Sequence, residues 1–288
     1  MLNEIIATYS IAAVDPETGE AGVAVQSKFL GVGSVVPWAK AGVGAVATQA
    51  FANPSYGPDG LTYLRNGKSA QQTLDALIAN DKDASERQAG VVDALGNAAT
   101  FTGENCYDWA GGITGTNYAA QGNILVNEET VTEMGRVFEG SNGTLADRLL
   151  ASLQAAQEAG GDSRGKQSAA IYVEKENGGY GGLSDVYVDL RVDDHPEPIE
   201  ELFRIYHLHQ LYFAKPRPEN IKPIEGSLKE DVVMGLYRAG YLESTQVNEE
   251  SFYKGLTAFL HTENFEEREL EKGFIDDEVV QFLRKLKR

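Results

Sequence analysis

The stretch ATYSIAAVDPETGEAGVAVQSKFLGVG, residues 7–33, decides the fold of this chain. Two runs of small and β-branched residues, at 5–14 and 21–27, flank an acidic segment that contains Pro16 and Gly19. Such runs favour strands, and proline and glycine favour a tight reversal of the chain. The stretch therefore predicts an antiparallel β-hairpin.

The predicted hairpin carries polar side chains at one end. Thr8 and Ser10 share one face of the first strand, because side chains alternate along a strand. The second strand ends in Ser27 and Lys28. A partly desolvated lysine there is able to hold a substrate carboxylate or to lower the pKa of a neighbouring group, whereas a solvated lysine is the ordinary alternative. For Thr8, the alternative is a strand threonine selected for its β propensity.

Beyond the hairpin, paired apolar runs alternate with amphipathic helices. The paired runs lack crossover helices, so they predict antiparallel sheet, and many are apolar on both faces, so they need cover on both sides. Two sheets packed face to face between helical layers meet both demands, which predicts an α+β fold, the four-layer αββα sandwich. The predicted strands are 32–38, 42–49, a hairpin within 88–103, 118–126, 167–176 and 185–193; the predicted helices are 55–67, 69–80, 128–139, 144–159 and one that ends near 213, and 103–117 is a predicted loop.

The composition changes at AKPRPENIKPIEG, residues 214–226. This segment is dense in proline and lysine and has no apolar period, which is typical of a linker. Residues 227–288 show amphipathic helical patterns, and the last helix opens with acids and closes with bases, which suits the helix dipole. We therefore expect an αββα domain over 1–213, a linker over 214–226 and a small all-α domain over 227–288.

Charge and composition exclude several classes of partner. The 288 residues carry a formal net charge of -18. A surface this acidic repels phosphate backbones and anionic lipids, so we expect neither nucleic acid nor membrane as a partner. The single cysteine excludes an internal disulfide framework. No run is long and apolar enough to span a bilayer, and the first residues lack the basic region of a signal peptide, so we expect a cytoplasmic protein.

No motif for a metal or an organic cofactor stands out. Asp193, Asp194 and His195 are consecutive, so at a strand end they point to different faces, and helix capping explains them more simply. The glycine-rich stretches do not follow a strand and open a helix in the phosphate-binding form. Cys106 has no histidine in a motif relation to it, so a buried thiol is the favoured interpretation. We expect no metal and no cofactor.

Amide side chains lie at predicted strand ends beside glycine or proline. They are Gln49 and Asn53 in TQAFANPSYG, and Gln121 and Asn123 in AAQGNIL. Amides at such positions are able to donate to a developing oxyanion or to bind a substrate amide. Pinning of a loop through side-chain hydrogen bonds is at least as good an explanation. Asn123 is the best candidate for a site residue, because the glycine beside it allows close approach.

The opening stretch, continued through AAQGNIL, QSAAIYV, GGYGG and YVDLRVDDHPEPIEELFRIYHLHQLYF, resembles the domain of unknown function 1028 family, which is grouped with the Ntn-hydrolase-like proteins. The resemblance covers about residues 8–213 and implies the αββα fold. Ntn hydrolases cleave amide and other carbon–nitrogen bonds with a first residue of Thr, Ser or Cys, whose own α-amine is the base. The implied nucleophile is Thr8, with Ser10 as a substitute. Because residues 1–7 precede Thr8, a free amine requires cleavage after Ala7.

The resemblance also implies roles for neighbouring residues. Lys28 would tune the charge near the nucleophile, and Asn123 with a backbone N–H would form the oxyanion hole. Lys40 lies where related amidases place a catalytic lysine, and it is a weaker candidate. The expected substrate-binding residues are the remaining polar side chains of these segments, Ser27, Gln49, Asn53 and Gln121.

The sequence thus predicts an Ntn-hydrolase-like amidohydrolase that acts on a small, non-peptide amide or ureide. The alternative is a non-catalytic, small-ligand-binding protein that keeps the sandwich without a free N-terminal nucleophile. We expect a homodimer. Residues 227–288 resemble a small helical module that carries a peptidoglycan-binding label; the lack of an export signal and the acidic surface favour docking within the chain or dimerisation over cell-wall binding.

Overall fold

The structure, a computed structural model, describes residues 8–286, so the predicted strand residues 5–7 lie outside it. The chain divides into two compact units, one up to Ile205 and one from Tyr206. Each unit has its own hydrophobic core.

The described part of the first unit forms two antiparallel sheets with helices. Its strands are β1 (Thr8–Asp15), β2 (Glu20–Ser27), β3 (Pro37–Lys40), β4 (Gly44–Ala50), β5 (Arg87–Asp93), β6 (Ala98–Thr102), β7 (Gly111–Gly115), β8 (Tyr118–Asn123), β9 (Ser168–Glu174) and β10 (Val186–Val192). The six-stranded sheet has the order β10-β9-β2-β1-β8-β7, and the four-stranded sheet has the order β3-β4-β5-β6. The helices are α1 (Tyr56–Arg65), α2 (Ala70–Ala79), α3 (Glu129–Gly140), α4 (Leu145–Glu158) and α5 (Pro198–Phe213), which ends in the second unit.

β1 and β2 form the predicted hairpin, with Thr8 opposite Ser27. Asp15 closes the turn, because its Oδ1 accepts a hydrogen bond from the Glu17 nitrogen at 2.9 Å and its carbonyl oxygen accepts one from the Gly19 nitrogen at 2.8 Å. Gly19 has a φ of 73°, which a residue without a Cβ adopts readily. The hairpin prediction is confirmed. β1 also pairs with β8, so it lies inside the larger sheet.

The two sheets share a hydrophobic core. Ala12 and Val14 of β1 belong to the same buried cluster as Ala45 of β4. Because side chains alternate along a strand, one set of β1 side chains faces the smaller sheet. Thr8 and Ser10 belong to that set, so they extend the surface between the sheets toward one end.

Helices pack against both sheets. Val46 of β4 packs with Leu64 of α1 and Leu74 of α2 in a separate cluster. On the larger sheet, α3 contacts β8, and α4 contacts β1 and β2. The Tyr9 hydroxyl of β1 donates to Gln157 Oε1 of α4 at 3.1 Å. Antiparallel sheets and helices are thus combined in a mixed α/β unit.

Capping boxes start α2 and α4. Ser69, the first residue of the predicted helix 69–80, accepts from the Gln72 nitrogen at 3.2 Å, and the Ser69 nitrogen donates to Gln72 Oε1 at 3.1 Å. Thr144 and Asp147 form the same reciprocal pair at the start of α4. Such pairs satisfy backbone donors that have no partner inside the helix, which explains why these helices begin where the sequence predicts.

The region after the hairpin differs from the prediction. The sequence predicts a strand over 32–38, whereas the structure has a 3₁₀ turn at Val32–Ser34 and begins β3 at Pro37. Proline has no N–H to give to a ladder, and β3 is an edge strand, where one side of the strand needs no donor. The short edge strand therefore replaces a longer predicted one.

Two further strand boundaries differ. The sequence predicts a strand that runs to 126, but β8 ends at Asn123, because Ile124 has a φ of 52°, outside the extended region. The predicted loop 103–117 contains β7, which pairs with β8 and follows no local apolar period.

The second unit has a helical core. Its helices are α6 (Gly226–Arg238), α7 (Glu249–Thr262) and α8 (Asp277–Lys285), accompanied by two short strands, β11 (Ile221–Pro223) and β12 (Phe274–Asp276). Residues 214–226 are predicted as a linker, but β11 pairs with β12 and Ile224 packs in the core. The sequence also places the domain boundary after 213, whereas the second unit begins inside α5.

Over residues 8–286, no helix has the length and apolar character needed to cross a bilayer. The same residues contain no group of three or more His, Cys, Asp or Glu placed to hold a metal ion. Cys106 is half-buried, and its Sγ donates to the Arg87 carbonyl oxygen at 3.4 Å. Burial raises the pKa of its thiol, which disfavours the nucleophilic thiolate.

Candidate functional site

Polar side chains fill one end of the space between the two sheets. They come from β1, β2, β4, β5 and β8, carry only hydroxyl and amide groups, and are fully buried. We call this set the amide cluster; its members are Thr8, Ser10, Ser27, Gln49, Gln88, Gln121 and Asn123.

Strand register brings the cluster together. Thr8 lies opposite Ser27 on β2 and opposite Asn123 on β8, and Ser10 lies opposite Gln121. Directly opposed residues project from the same face of a sheet, so these side chains meet on the face toward the smaller sheet. Gln49 and Gln88 are a corresponding pair on β4 and β5 of that smaller sheet.

Gln88 connects the two sheets and has a fixed orientation. Its Nε2 lies 2.7 Å from the Gly122 carbonyl oxygen, 3.2 Å from the Gly111 carbonyl oxygen and 2.9 Å from Thr102 Oγ1. Because a carbonyl oxygen accepts only, the amide end that faces these groups is the nitrogen. Gln88 Oε1 therefore points into the amide cluster as an acceptor.

The orientation of the Gln88 amide determines how the side-chain amides of Gln49 and Asn123 are oriented. Gln49 Nε2 donates to Gln88 Oε1 at 2.8 Å, and Asn123 Nδ2 donates to the same oxygen at 2.9 Å. Gln49 Nε2 also lies 3.2 Å from the Thr8 carbonyl oxygen, which agrees with this assignment. Gln49 Oε1 is consequently left to accept a hydrogen bond, which it does from Ser10 Oγ at 2.5 Å.

Ser10 is held on both sides by amides. Its hydroxyl donates to Gln49 Oε1 and accepts from Gln121 Nε2 at 2.7 Å. Gly90 on β5 makes room for Gln121, because a Cβ at Gly90 would lie 2.1 Å from Gln121 Oε1. An amide oxygen is too weak a base to activate a hydroxyl, so these contacts give Ser10 a positioning role and do not support it as the substitute nucleophile.

Thr8 lies at the edge of this network. Its Oγ1 and Ser27 Oγ are hydrogen-bonded at 3.2 Å, and its side chain is fully buried. Its carbonyl oxygen is the one approached by Gln49 Nε2. The structure therefore brings the hydroxyls of Thr8 and Ser27 together at the end of the hairpin.

Asn123 leaves one polar atom without a partner. Its Oδ1 is buried and has no hydrogen-bond partner among residues 8–286. Because Asn123 Nδ2 is committed to Gln88 Oε1, the atom left over is an acceptor. A buried acceptor without a partner costs about 1–3 kcal/mol, so its retention requires an explanation.

Strained backbone lies at the ends of two of the cluster strands. Ala50 follows Gln49 with a φ of 62°, and Ile124 follows Asn123 with a φ of 52°. These conformations cost a residue with a Cβ about 1–3 kcal/mol and cluster at functional sites. Ile124 is held there because its nitrogen donates to the Tyr107 carbonyl oxygen at 2.9 Å.

A buried ion pair holds the loop after Gln49. Arg87 Nε donates to Asp81 Oδ2 at 2.8 Å, and Arg87 Nη1 donates to the Phe51 carbonyl oxygen at 2.6 Å. The hydrogen bond from Arg87 is the main cause that holds the pKa of Asp81 well below its ordinary value. The pair thus fixes the ends of β4 and β5 on which Gln49 and Gln88 lie.

Three predicted residues lie outside the amide cluster. Lys28 is exposed, and its Nζ donates to the Lys166 carbonyl oxygen at 3.4 Å. Asn53 donates through Nδ2 to Asp81 Oδ2 at 3.0 Å, so it belongs to the ion-pair network. Lys40 forms ion pairs with acids of β9 and the following hairpin, of which the Glu174 pair measures 3.0 Å. These contacts do not bring Lys28, Asn53 or Lys40 to Thr8.

A cavity of about 380 Å³ opens beside two of the cluster strands. It is lined by the loop side chains Glu86, Glu104, Asn105, Cys106, Tyr107 and Asp108. Cys106 contacts the backbone of Arg87, at the start of β5, and Tyr107 contacts the residue after β8. The cavity therefore adjoins the strand ends from which Gln88 and Asn123 enter the amide cluster.

A family model described as "Family of unknown function (DUF1028)" matches residues 8–202, which span the whole amide cluster. The chain belongs to the DUF1028 family. Within this DUF1028 protein, a second model, described as "Putative peptidoglycan binding domain", matches residues 212–283.

Solved structures include a similar DUF1028 protein. The crystal structure of protein SPO2555 from Silicibacter pomeroyi has 34% sequence identity and a TM-score of 0.65, with 71% of this chain and 89% of that chain covered. That structure is itself matched by the DUF1028 model. No curated protein matches the chain.

Sequence reasoning about this DUF1028 protein missed Gln88. Gln88 opens a run, QAGVV, that is otherwise apolar or glycine, and it lies at the same strand end as Gln49. A glutamine at the inward position of a buried strand is the signal that points to it, because buried polar side chains are kept only with partners.

Proposed function

We propose that this protein is an Ntn-type amidohydrolase that acts on a small, non-peptide amide or ureide, with Thr8 as its nucleophile. The observation that carries the proposal is the placement of Thr8. It opens β1, inside the larger sheet, and its hydroxyl faces the smaller sheet within a cluster of neutral amides. The resemblance to Ntn-hydrolase-like proteins supplies the chemistry for a threonine at this position.

The finer fold assignment belongs to the same proposal. The sheets share one core, α1 and α2 pack on the smaller sheet, and α3 and α4 contact the larger one. These contacts support the four-layer αββα sandwich of the Ntn type. In that sandwich the nucleophile lies between the sheets at the start of a strand, which agrees with the position of Thr8.

The proposed reaction uses the free α-amine of Thr8 as the base. The amine takes the proton of Oγ1 while Oγ1 attacks the substrate carbonyl carbon, and the carbonyl electron pair moves onto oxygen. The tetrahedral intermediate then collapses, the C–N bond breaks, and the ammonium returns its proton to the leaving nitrogen. Water hydrolyses the remaining ester, which releases the acid and restores the hydroxyl.

The amide cluster favours a neutral reacting group. Its members offer N–H and O–H donors and carbonyl acceptors but no formal charge. Bringing a carboxylate or an ammonium into this buried space would cost several kcal/mol without a compensating partner. A neutral amide or ureide presents both donors and acceptors and so matches the cluster. The second N–H of Asn123 Nδ2, oriented by Gln88, is the proposed donor to the developing oxyanion.

Turnover of a panel of small amides and ureides, followed by released amine or ammonia, tests this function. We expect Thr8→Ala to lower turnover by about 10³-fold or more, because the nucleophile is lost, and Thr8→Ser to keep part of it. Thr62→Ala, at an exposed threonine of α1, is the matched control and leaves turnover unchanged. Undiminished turnover in Thr8→Ala would reject Thr8 as nucleophile.

The second candidate is a small-ligand-binding protein that performs no chemistry. The full burial of Thr8 favours it, because a nucleophile has to be reached by its substrate, whereas a ligand that is only bound is able to occupy another part of the unit. Thermal-shift screening of the same amides separates the two candidates. Hits that raise the melting temperature and are never turned over support the binding protein.

A further inference from the structure

The acceptor that Asn123 leaves without a partner lies on the strand next to Thr8. Asn123 is fully buried, and its Oδ1 has no hydrogen-bond partner within the described residues. Its orientation is determined by a chain of contacts, since backbone carbonyls fix Gln88 and Gln88 Oε1 fixes Asn123 Nδ2. Oδ1 is therefore an acceptor aimed at a group that the described residues do not supply.

The backbone nitrogen of Thr8 is on the correct side to supply that group. The nitrogen of Val14 donates to the carbonyl oxygen of Asn117, so it points toward β8. Backbone N–H groups alternate between the two edges of a strand, so every second nitrogen of β1, back to Thr8, also points toward β8. The residue directly opposite Thr8 on β8 is Asn123.

We propose that Asn123 is the positioning residue for the base: its Oδ1 accepts a hydrogen bond from the α-amine of Thr8 once the chain begins at that residue, and Gln88 holds Asn123 in this orientation. The inference rests on the proposed function only in requiring a free amine at Thr8. An amine carries more hydrogens than the peptide N–H it replaces. One of them serves the ladder with β8, and another is available to Asn123 Oδ1.

An uncharged hydrogen-bond acceptor such as Asn123 Oδ1 is a suitable partner for an α-amine that has to act as a base. The ordinary pKa of an α-amine is about 7.7–8.0, and a carboxylate partner would raise it and keep the amine protonated near pH 7. Burial acts in the opposite direction, because desolvation disfavours the ammonium. An asparagine therefore orients the amine without holding its proton, which explains why amides rather than acids line this end of the sandwich.

Competitive labelling measures the amine directly. The protein with Thr8 as its first residue, self-matured or released from a leader by a site-specific protease, is acetylated with acetic anhydride across a pH series, and the N-terminal peptide is quantified by mass spectrometry. Only the neutral amine reacts, so the midpoint reports its pKa. We expect Asn123→Asp to raise that midpoint by about one unit or more, because a carboxylate replaces the amide oxygen.

Asn117→Asp is the matched control. It adds the same charge at the residue before β8, roughly 20 Å from Asn123 along the strand direction, and it should leave the midpoint nearly unchanged. A shift in Asn123→Asp no larger than in Asn117→Asp overturns the proposal. The measurement needs no substrate, so a protein inactive on every amide that still shows the shift contradicts the proposed function and supports this inference.

A second measurement needs no substitution at Asn123. In isotopically labelled, unaltered protein that begins at Thr8, the side-chain carbonyl carbon resonance of Asn123 should titrate with the same midpoint as the Thr8 amine. A resonance that stays constant while the amine titrates overturns the proposal.

Discussion

Gln88 determines how the neighbouring amides point, and it does so through backbone carbonyls. Its Nε2 faces the carbonyl oxygens of Gly122 and Gly111 on the opposite sheet, so its Oε1 must accept. Gln49 and Asn123 then have only one consistent orientation each. One side chain thus defines the polarity of the site and links the two sheets.

Replacement of Gln88 by leucine should be strongly destabilising. Leucine removes the oxygen to which Gln49 and Asn123 donate, and it also removes the donor that reaches Thr102 Oγ1. Asn123 Nδ2 and Thr102 Oγ1 thereby lose a buried partner. Each buried group left in this way costs about 1–3 kcal/mol, so we expect the free energy of unfolding in urea to fall by about 3 kcal/mol or more. Gln71→Leu, the same change at an exposed position of α2, should alter it by less than about 0.5 kcal/mol. Equal effects at both positions would contradict the assigned role of Gln88.

The Arg87–Asp81 pair gives a prediction about pH. Both side chains are 7% exposed, so Asp81→Asn removes the close carboxylate partner of a buried guanidinium and leaves it only Asp83, at 3.6 Å. We expect this change to lower stability at pH 7 by up to about 3 kcal/mol. The pKa of Asp81 is depressed in the folded state, so the stabilisation is complete above its ordinary value near 4 and is lost as the pH falls below it.

Urea unfolding of both proteins at several pH values checks this expectation. The stability difference between the unaltered protein and Asp81→Asn should be constant near neutrality and should narrow below about pH 4. Asp75→Asn, at an exposed position of α2, serves as the control. A difference that persists undiminished into strong acid would contradict the depressed pKa.

The two-residue period of strands explains which residues of the amide cluster were predictable from the sequence. Thr8, Ser10 and Ser27 follow from the hairpin alone, and Gln121 and Asn123 join them because β8 pairs with β1. Lys28 was not predictable in this way, because it lies beyond the last residue of β2 and its side chain reaches solvent.

Among the elements, α2 shows how local sequence sets a boundary. Ser69 and Gln72 satisfy each other's backbone groups before the helix begins. Replacing Ser69 by alanine removes the side-chain acceptor and should lower the free energy of unfolding by about 1 kcal/mol. Ser69→Asp keeps an acceptor at the cap and should retain most of the stability. Urea denaturation of both variants measures the difference, and equal losses would exclude the capping role.

Elements fixed by local signals were predictable, and elements fixed by distant partners were not. The hairpin of β1 and β2 and the start of α2 depend on residues a few positions apart. β7, by contrast, is a glycine-rich segment that becomes a strand because β8 lies beside it. β3 begins only at Pro37, and the apolar run over 32–38 does not predict this late start.

For the whole molecule, the paired apolar runs and the strands that are apolar on both faces predict two sheets from the sequence alone. The boundary between the units was harder to predict from the sequence, because it lies inside α5, where the helical pattern continues without a break. The proline-rich segment has the composition of a linker, yet it contains β11, which pairs with β12 about fifty residues later. Sequence patterns over short windows do not predict a pairing at that separation.

The claim on which the account depends is that Thr8, with a free amine, forms the covalent intermediate. Acid quenching during turnover of an activated amide or ester, followed by peptide mapping with mass spectrometry, tests it most directly. We predict a hydroxylamine-sensitive acyl ester on a peptide whose first residue is Thr8. An acyl group on another residue such as Cys106, or steady turnover by a chain in which Thr8 is still preceded by Ala7, would contradict it.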